Sequence, residues 1–174
     1  MSNVRPHEPA AFMLAKTHRM SNITVLQAGP PELKELAVLF NQYREFQGQP
    51  SNLLAAQEFL QARLNSGDSA VFVAREMRVP VGFAQLYPSY SSVSLARVFV
   101  LNDLFVQESS RRKGVAVQLL AAVEAYAWSR GAVRVTLNVA RNNEQGQALY
   151  EAQGWSRDQR FYTYHRYPST RGEV

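Results

Sequence analysis

The chain has 174 residues, enough for one domain with a sizeable core, and 46% of them are hydrophobic, which excludes a disordered or fibrous class. It has no cysteine, which excludes disulfides, thiolate zinc sites and a cysteinyl-acyl intermediate. The formal charge is +5, and three cations (Arg5, Lys16, Arg19) against one anion (Glu8) put +2 of it in residues 1–22, leaving a modest +3 that suits a polyanionic small ligand better than a nucleic-acid face.

Met20-Ser21-Asn22 repeats Met1-Ser2-Asn3. Residues 1–22 are expected to be a poorly ordered N-terminal extension, and 23–170 a single domain. Ile23 to Gln27 reads as a short strand. Gly29-Pro30-Pro31 breaks it, and Leu33, Leu36, Leu39, Phe40 and Tyr43 then recur at helical spacing from about Glu32 to Phe46. Gly48 to Pro50 stops that helix, and Ser51 is the expected cap of a second one through Leu64. Ala70 to Arg75 and Val81 to Leu86 form a hairpin about a turn at Glu76 to Pro80. Leu95 to Val106 is a long strand with polar Asn102 and Asp103 set inside it. A helix from Lys113 to about Arg130 follows, closed by Gly131. Val133 to Val139 is the next strand, Asn143 to Gln153 a helix, and Trp155 to Tyr167 two strand segments. Antiparallel strands first and a strand–helix–strand crossover later predict an α/β fold: a mixed sheet with helices on both faces. No apolar run is long enough to span a bilayer, and the three scattered histidines suggest no metal. Neither a membrane nor a nucleic-acid partner is expected.

The most informative stretch is residues 104–120. An apolar strand ends at Val106, and Arg111-Arg112-Lys113-Gly114-Val115-Ala116 opens the next helix. A helix start offers free backbone N–H groups and partial positive charge, and Gly114 and Ala116 leave room for an anion. On pattern alone this is either a phosphate cradle or an ordinary solvated basic turn.

The same six residues match the R/Q-x-x-G-x-G/A signature, and the chain resembles the GNAT superfamily of acetyl-CoA-dependent N-acetyltransferases. Val133–Val139 resembles that family's next strand. Asn143-Glu-Gln-Gly-Gln-Ala-Leu-Tyr150-Glu-Ala-Gln-Gly154-Trp155 resembles its N-x-x-A-x-x-L-Y-x-x-x-G-F segment, with Gly146 at the alanine position. Leu101 to Val106 resembles the L-E-D-x-x-V strand of the polyamine and thialysine branch, with Asn102 in place of glutamate. The resemblance covers residues 69–167 well and 23–68 loosely. It implies a six- to seven-stranded, mostly antiparallel sheet with one parallel pair splaying apart around Val106 and Val139.

The resemblance also implies the site. Acetyl-CoA is the expected co-substrate, its pyrophosphate on backbone N–H groups from Arg112 through Lys113, Gly114 and Val115 to Ala116, with Arg111 and Lys113 side chains on phosphate oxygens. Phe105 and Val106 offer backbone groups to pantetheine or are plain core. Asn138 and Asn143 are cofactor contacts, Asn143 being equally a helix N-cap. Tyr150 sits where a hydroxyl protonates the departing thiolate, or it is a packing aromatic. Asp103 takes the proton of an amine whose free pKa is about 10.4, or it is a bulge residue or an ion-pair partner of Arg97. Strand alternation lets only one of Asn102 and Asp103 face the substrate unless the strand bulges. Tyr43, Tyr87, Tyr90 and Glu45, with Asn102, are the expected acceptor-site residues. The expected activity is acetylation of a small amine, such as a polyamine or lysine-like compound, by direct attack in a ternary complex. Protein lysine or N-terminal acetylation and non-catalytic acyl-CoA sensing are the alternatives. A cytoplasmic homodimer is expected, with the aromatic stretch Phe161–Tyr167 at its interface or folded on its own core.

Overall fold

The computed structural model describes residues 22–168, so the expected extension at 1–22 lies, apart from Asn22, outside the described residues. The elements are β1 (Ile23–Gln27), α1 (Leu33–Phe46), α2 (Leu53–Ser66), β2 (Ala70–Glu76), β3 (Val79–Ser91), β4 (Ala96–Val106), α3 (Val115–Ser129), β5 (Ala132–Thr136) and α4 (Glu144–Ala152). Short 3-10 turns occupy Pro30–Glu32 and Glu108–Ser110. The strands stand in the order β1-β2-β3-β4-β5, antiparallel up to β4 and parallel between β4 and β5.

Each face of the sheet has its own core. Leu36, Leu39 and Phe40 of α1 and Leu60 of α2 bury against Val71, Val73, Phe83 and Phe105. On the opposite face Leu119, Leu120 and Val123 of α3 bury against Phe72, Ala84, Leu86 and Phe99. Leu149, Tyr150 and Trp155 pack at the edge of that second core, which brings α4 to the same side.

Helix ends follow their side chains. The α2 cap is Asn52 rather than the expected Ser51: Asn52 Oδ1 accepts from the Ala55 N–H at 3.0 Å. Ser51 accepts instead from the Asn41 amide at 2.9 Å, and Asn41 in turn accepts from the Asn52 N–H at 2.8 Å. One buried asparagine thus fixes the loop between α1 and α2.

The sheet has five strands among the described residues, not six or seven. Residues 155–168 form no strand. Asp158 accepts from the N–H groups of Arg160 and Phe161, an Asx turn that bends the chain where pairing would begin. Beyond it Phe161, Tyr162, Tyr164 and Tyr167 are all more than 70% exposed, so no face buries them and periodicity has nothing to act on.

Candidate active site

The site arises where the parallel pair stops pairing. β4 pairs with β5 only over Arg97–Val100. From Leu101 to Val106 it keeps its β3 partners and has none on the other side. Beyond Thr136 the chain continues as Leu137, Asn138, Val139 and Ala140 along the far wall of a cleft of about 470 Å³. Asn102, Leu104, Asn142, Asn143 and Tyr150 complete it with Tyr43 and Gln47. The expected splay is therefore present, and the unpaired edge of β4 is a row of donors and acceptors for an amide-bearing chain.

The α3 end fits a polyanion. Gly114 is the N-cap at φ +84, with no side-chain cap on the helix start, and Arg112 also takes a left-handed φ of +61. The first-turn N–H groups of α3 are left for an external acceptor. Lys113 Nζ lies 3.1 Å from Glu76 on the β2–β3 hairpin, and the Ser110 hydroxyl donates to the same carboxylate at 3.3 Å. Lys113 thus anchors the loop to the sheet. Arg111 Nε donates to the Val106 carbonyl at 3.1 Å, and its guanidinium stands 5.3 Å from the Phe46 ring centroid. Val106 and Phe105 pack as apolar core while their backbone lines the splay. Gly82 opposes Val106, and a Cβ there would meet the Phe105 carbonyl at 2.7 Å.

The β3–β4 register slips between Gln85 and Leu86, which pair with Asp103 and Leu101. Asn102 is the extra residue of a β-bulge. The bulge turns Asn102 into the cleft while Asp103 stays on the α1 face, only 6% exposed. The Asn102 amide donates to Asp103 Oδ1 at 3.1 Å, and the Tyr43 hydroxyl is close enough to act on the same carboxylate as a donor. Burial pushes the Asp103 pKa up, and these two donors offset part of that rise. Tyr43 is pushed up to about 12, first by burial and next by Asp103, so it stays protonated. Tyr150 is raised by burial, which keeps its proton available as an acid. Tyr87 lies on the same face as Asp103 and is raised by burial and then by that carboxylate.

Several expected residues separate here. Tyr43, Asn102, Asn138, Asn143 and Tyr150 line one cleft, and Asp103 lies behind Tyr43 and Asn102. Tyr90 lies outside it: 70% exposed, it accepts from Arg97 at 3.1 Å. That contact leaves Asp103 without an ion pair among the described residues. Glu45 accepts from Asn41, and Asn143 caps α4 by accepting from the Gly146 N–H at 2.9 Å. Sequence reasoning missed Gln85. It is fully buried beside Asp103, donates to the Ser69 hydroxyl at 3.0 Å, and its Oε1 has no hydrogen-bond partner among the described residues. A buried glutamine at an inward strand position carried no signal beyond its polarity.

Residues 33–155 match the model of the Acetyltransferase (GNAT) family. The chain is 42% identical over 142 residues to "Uncharacterized N-acetyltransferase YhfO" of Bacillus subtilis, covering 82% of this chain and 95% of that protein. A crystal structure described as "a probable acetyltransferase" superposes with a TM-score of 0.79 at 40% identity, over 84% of this chain and 99% of the other. Aminoglycoside N-acetyltransferase AAC(6')-Iy, solved with CoA, gives a TM-score of 0.70 at 25% identity, over 83% and 94%. No described helix is long and apolar enough to cross a membrane, and no cluster of metal-ligating side chains occurs among the described residues. With the splay, the uncapped α3 start and the family match in agreement, the chain belongs to the GNAT family of acetyl-CoA-dependent N-acetyltransferases.

Proposed function

We propose that the acceptor is a small primary amine of the polyamine or lysine-like kind, attacked-upon thioester and amine meeting in one ternary complex. The observation that carries this reading is a carboxylate, Asp103, set behind the cleft wall opposite Tyr150. A neutral amine nitrogen bonds to the thioester carbonyl carbon, and the C–S bond breaks. The amine's excess proton goes to Asp103, and the leaving thiolate takes the Tyr150 proton. The net products are an acetamide and CoA with its free thiol. Arg112 to Ala116 hold the pyrophosphate, with Phe105, Val106, Asn138 and Asn143 along the pantetheine arm. Tyr43 and Asn102 serve the acceptor from the cleft wall, Tyr87 stands behind that wall near Asp103, and Tyr90 drops out of the group because it is exposed and away from the cleft.

One carboxylate at the reacting end suits an acceptor with one cation there. A second reading, an aminated xenobiotic, is favoured by the likeness to an aminoglycoside acetyltransferase. Residues 23–170 act as one domain. The cysteine-free composition suits work in the cytoplasm. The exposed aromatics of 161–167 suit a homodimer, and light scattering giving only 19.6 kDa removes it.

The test is CoA release from acetyl-CoA with pooled polyamines, lysine analogues, aminoglycosides and a histone-tail peptide, followed by mass spectrometry of the products. An acetylated small amine supports the proposal. An acetylated peptide alone moves the acceptor to protein lysine. Stabilisation by acetyl-CoA without turnover on any amine makes the protein an acyl-CoA sensor.

A further inference from the structure

The site described above contains a gap between base and nucleophile. Asp103 is almost fully buried and is absent from the cleft wall, so an amine lying in the cleft does not touch it. Two side chains bridge that gap. Both Tyr43 and Asn102 line the cleft; the Asn102 amide donates to Asp103 Oδ1 at 3.1 Å, and the Tyr43 hydroxyl is near enough to the carboxylate to act on it as a donor. Asn102 has only amide hydrogens to offer and cannot pass a proton on. Tyr43 has one O–H and a free lone pair on the same atom, so it can accept a proton while releasing its own.

Tyr43 is also held in place. Its ring makes an edge contact with Phe83 at 5.7 Å between centroids and a tilted one with Phe105 at 6.0 Å. The Gln47 and Asp103 side chains are both close enough to act on its hydroxyl. Tyr150, on the opposite wall, is close enough to act electrostatically on Tyr43.

We infer that Tyr43 is a catalytic residue: a proton relay that takes the proton of the attacking amine on Oη as its own passes to the Asp103 carboxylate. This rests on the amine-acetylating reading given above. The step balances. The N–H bond of the attacking amine breaks as an O–H bond forms on Tyr43, and the original Tyr43 O–H breaks as Asp103 becomes a carboxylic acid. Tyr43 stays neutral throughout, which its high pKa requires, because a free tyrosinate never forms. Tyr150 supplies the thiolate's proton, and solvent exchange returns Asp103 and Tyr150 to their starting states. The burial that raises Asp103 makes it a better proton acceptor than a solvated carboxylate. The other groups facing this carboxylate are Tyr87 of β3 and, acting on Tyr87, the ion pair of Arg63 and Asp68 at the end of α2, 2.9 Å apart.

Tyr43→Phe keeps the ring and removes the relay oxygen. With the amine that the wild type acetylates, kcat should fall roughly 10²-fold or more while KM for acetyl-CoA is unchanged. Asp103→Asn should lose a similar factor. The double variant should lose no more than the worse single one, because relay members act as a unit. A second measurement needs no acceptor. Carbon NMR titration of the Asp103 carboxyl, assigned by its loss in Asp103→Asn, should show its pKa moving up in Tyr43→Phe, since a donor to the charged form is gone. Wild-type turnover with an unaffected Tyr43→Phe, or losses that multiply in the double variant, would overturn the relay and leave the acetyltransferase reading intact. An unmoved Asp103 titration would overturn it whatever the kinetics. Absence of wild-type turnover on every amine would remove the underlying reading, and the relay with it.

Discussion

The two halves of β4 use one strand for opposite ends. Arg97–Val100 is paired on both sides, and its side chains serve the core: Val98 and Phe99 are buried. Leu101–Val106 is paired on one side only, and it holds the bulge residue Asn102 and the buried Asp103. Polarity enters the strand where pairing stops. An unpaired backbone edge needs partners, and a buried carboxylate needs donors. The second half gathers both needs at one cleft, where a ligand with amide groups and an amine answers them. Leu101 and Phe105 still serve the cores, but the polar side chains and the unpaired edge of the strand lie in the half the sheet leaves unfinished.

The largest expected effect breaks the chemical half alone. Tyr150→Phe removes one hydroxyl and keeps the ring that lies 6.0 Å from Trp155. We expect kcat to fall roughly 10²–10⁴-fold, with the melting temperature and the acetyl-CoA affinity held. An unchanged kcat would make Tyr150 a packing residue and leave the thiolate to solvent. The next effect joins the two halves. Gly82→Ala puts a methyl 2.7 Å from the Phe105 carbonyl, which is backbone and moves only with the strand. A destabilisation of about 1–3 kcal/mol is expected by denaturant unfolding, together with weaker acetyl-CoA binding. A variant as stable as the parent would show that the end of β4 is softer than its pairing implies.

The same division decides what could be read from the sequence. Elements whose side chains face a core were legible, because burial imposes a period: α1, α3 and β2 fall within two residues of expectation, whereas β3 runs on past the expected Leu86 to Ser91, where its residues are no longer buried. The loop from Arg111 to Ala116 was legible because its glycine and its place between strand and helix are local features. The bulge at Asn102 was not. Alternation assigns Asn102 and Asp103 to opposite faces, and only the partner strand shows that one residue is supernumerary. Gln85 was hidden for the same reason, since its neighbour Asp103 is 18 positions away and joined only by register. The stretch from Phe161 to Tyr167 has strand-forming residues, but strand propensity needs a partner, and the described fold supplies none.

Asp103 allows the comparison to be tested with pH. Its pKa is raised in the fold, so at a pH between the unfolded and the raised folded value the folded state holds a proton that the unfolded state has already released. The folded form then binds more protons, and stability falls as pH rises. The contribution is fully present below the unfolded value and is lost as pH passes the raised folded value. Asp103→Asn removes the titration. At low pH the two proteins should melt alike, and above the raised value the variant should melt higher, by about 2–4 °C per kcal/mol relieved. A variant less stable at neutral pH would mean that the bonds from Tyr43 and Asn102 outweigh the burial of the charge.

The smallest effect tests whether Asn143 is a cap or a ligand contact. Gly146 stands where the family segment has alanine, directly beneath Asn143. A Cβ at 146 would lie 2.8 Å from Asn143 Nδ2 and 3.1 Å from Oδ1, so the side chain that caps α4 must swing away. Two terms then oppose each other. Alanine favours the helix by about 1 kcal/mol over glycine, and loss of the cap costs about the same. Gly146→Ala should therefore leave the melting temperature within a degree or two of the parent. Its freed Asn143 amide would face the cleft, and acetyl-CoA affinity would rise if that amide is a cofactor contact. An unchanged affinity together with a lower melting temperature would make Asn143 a cap and nothing more.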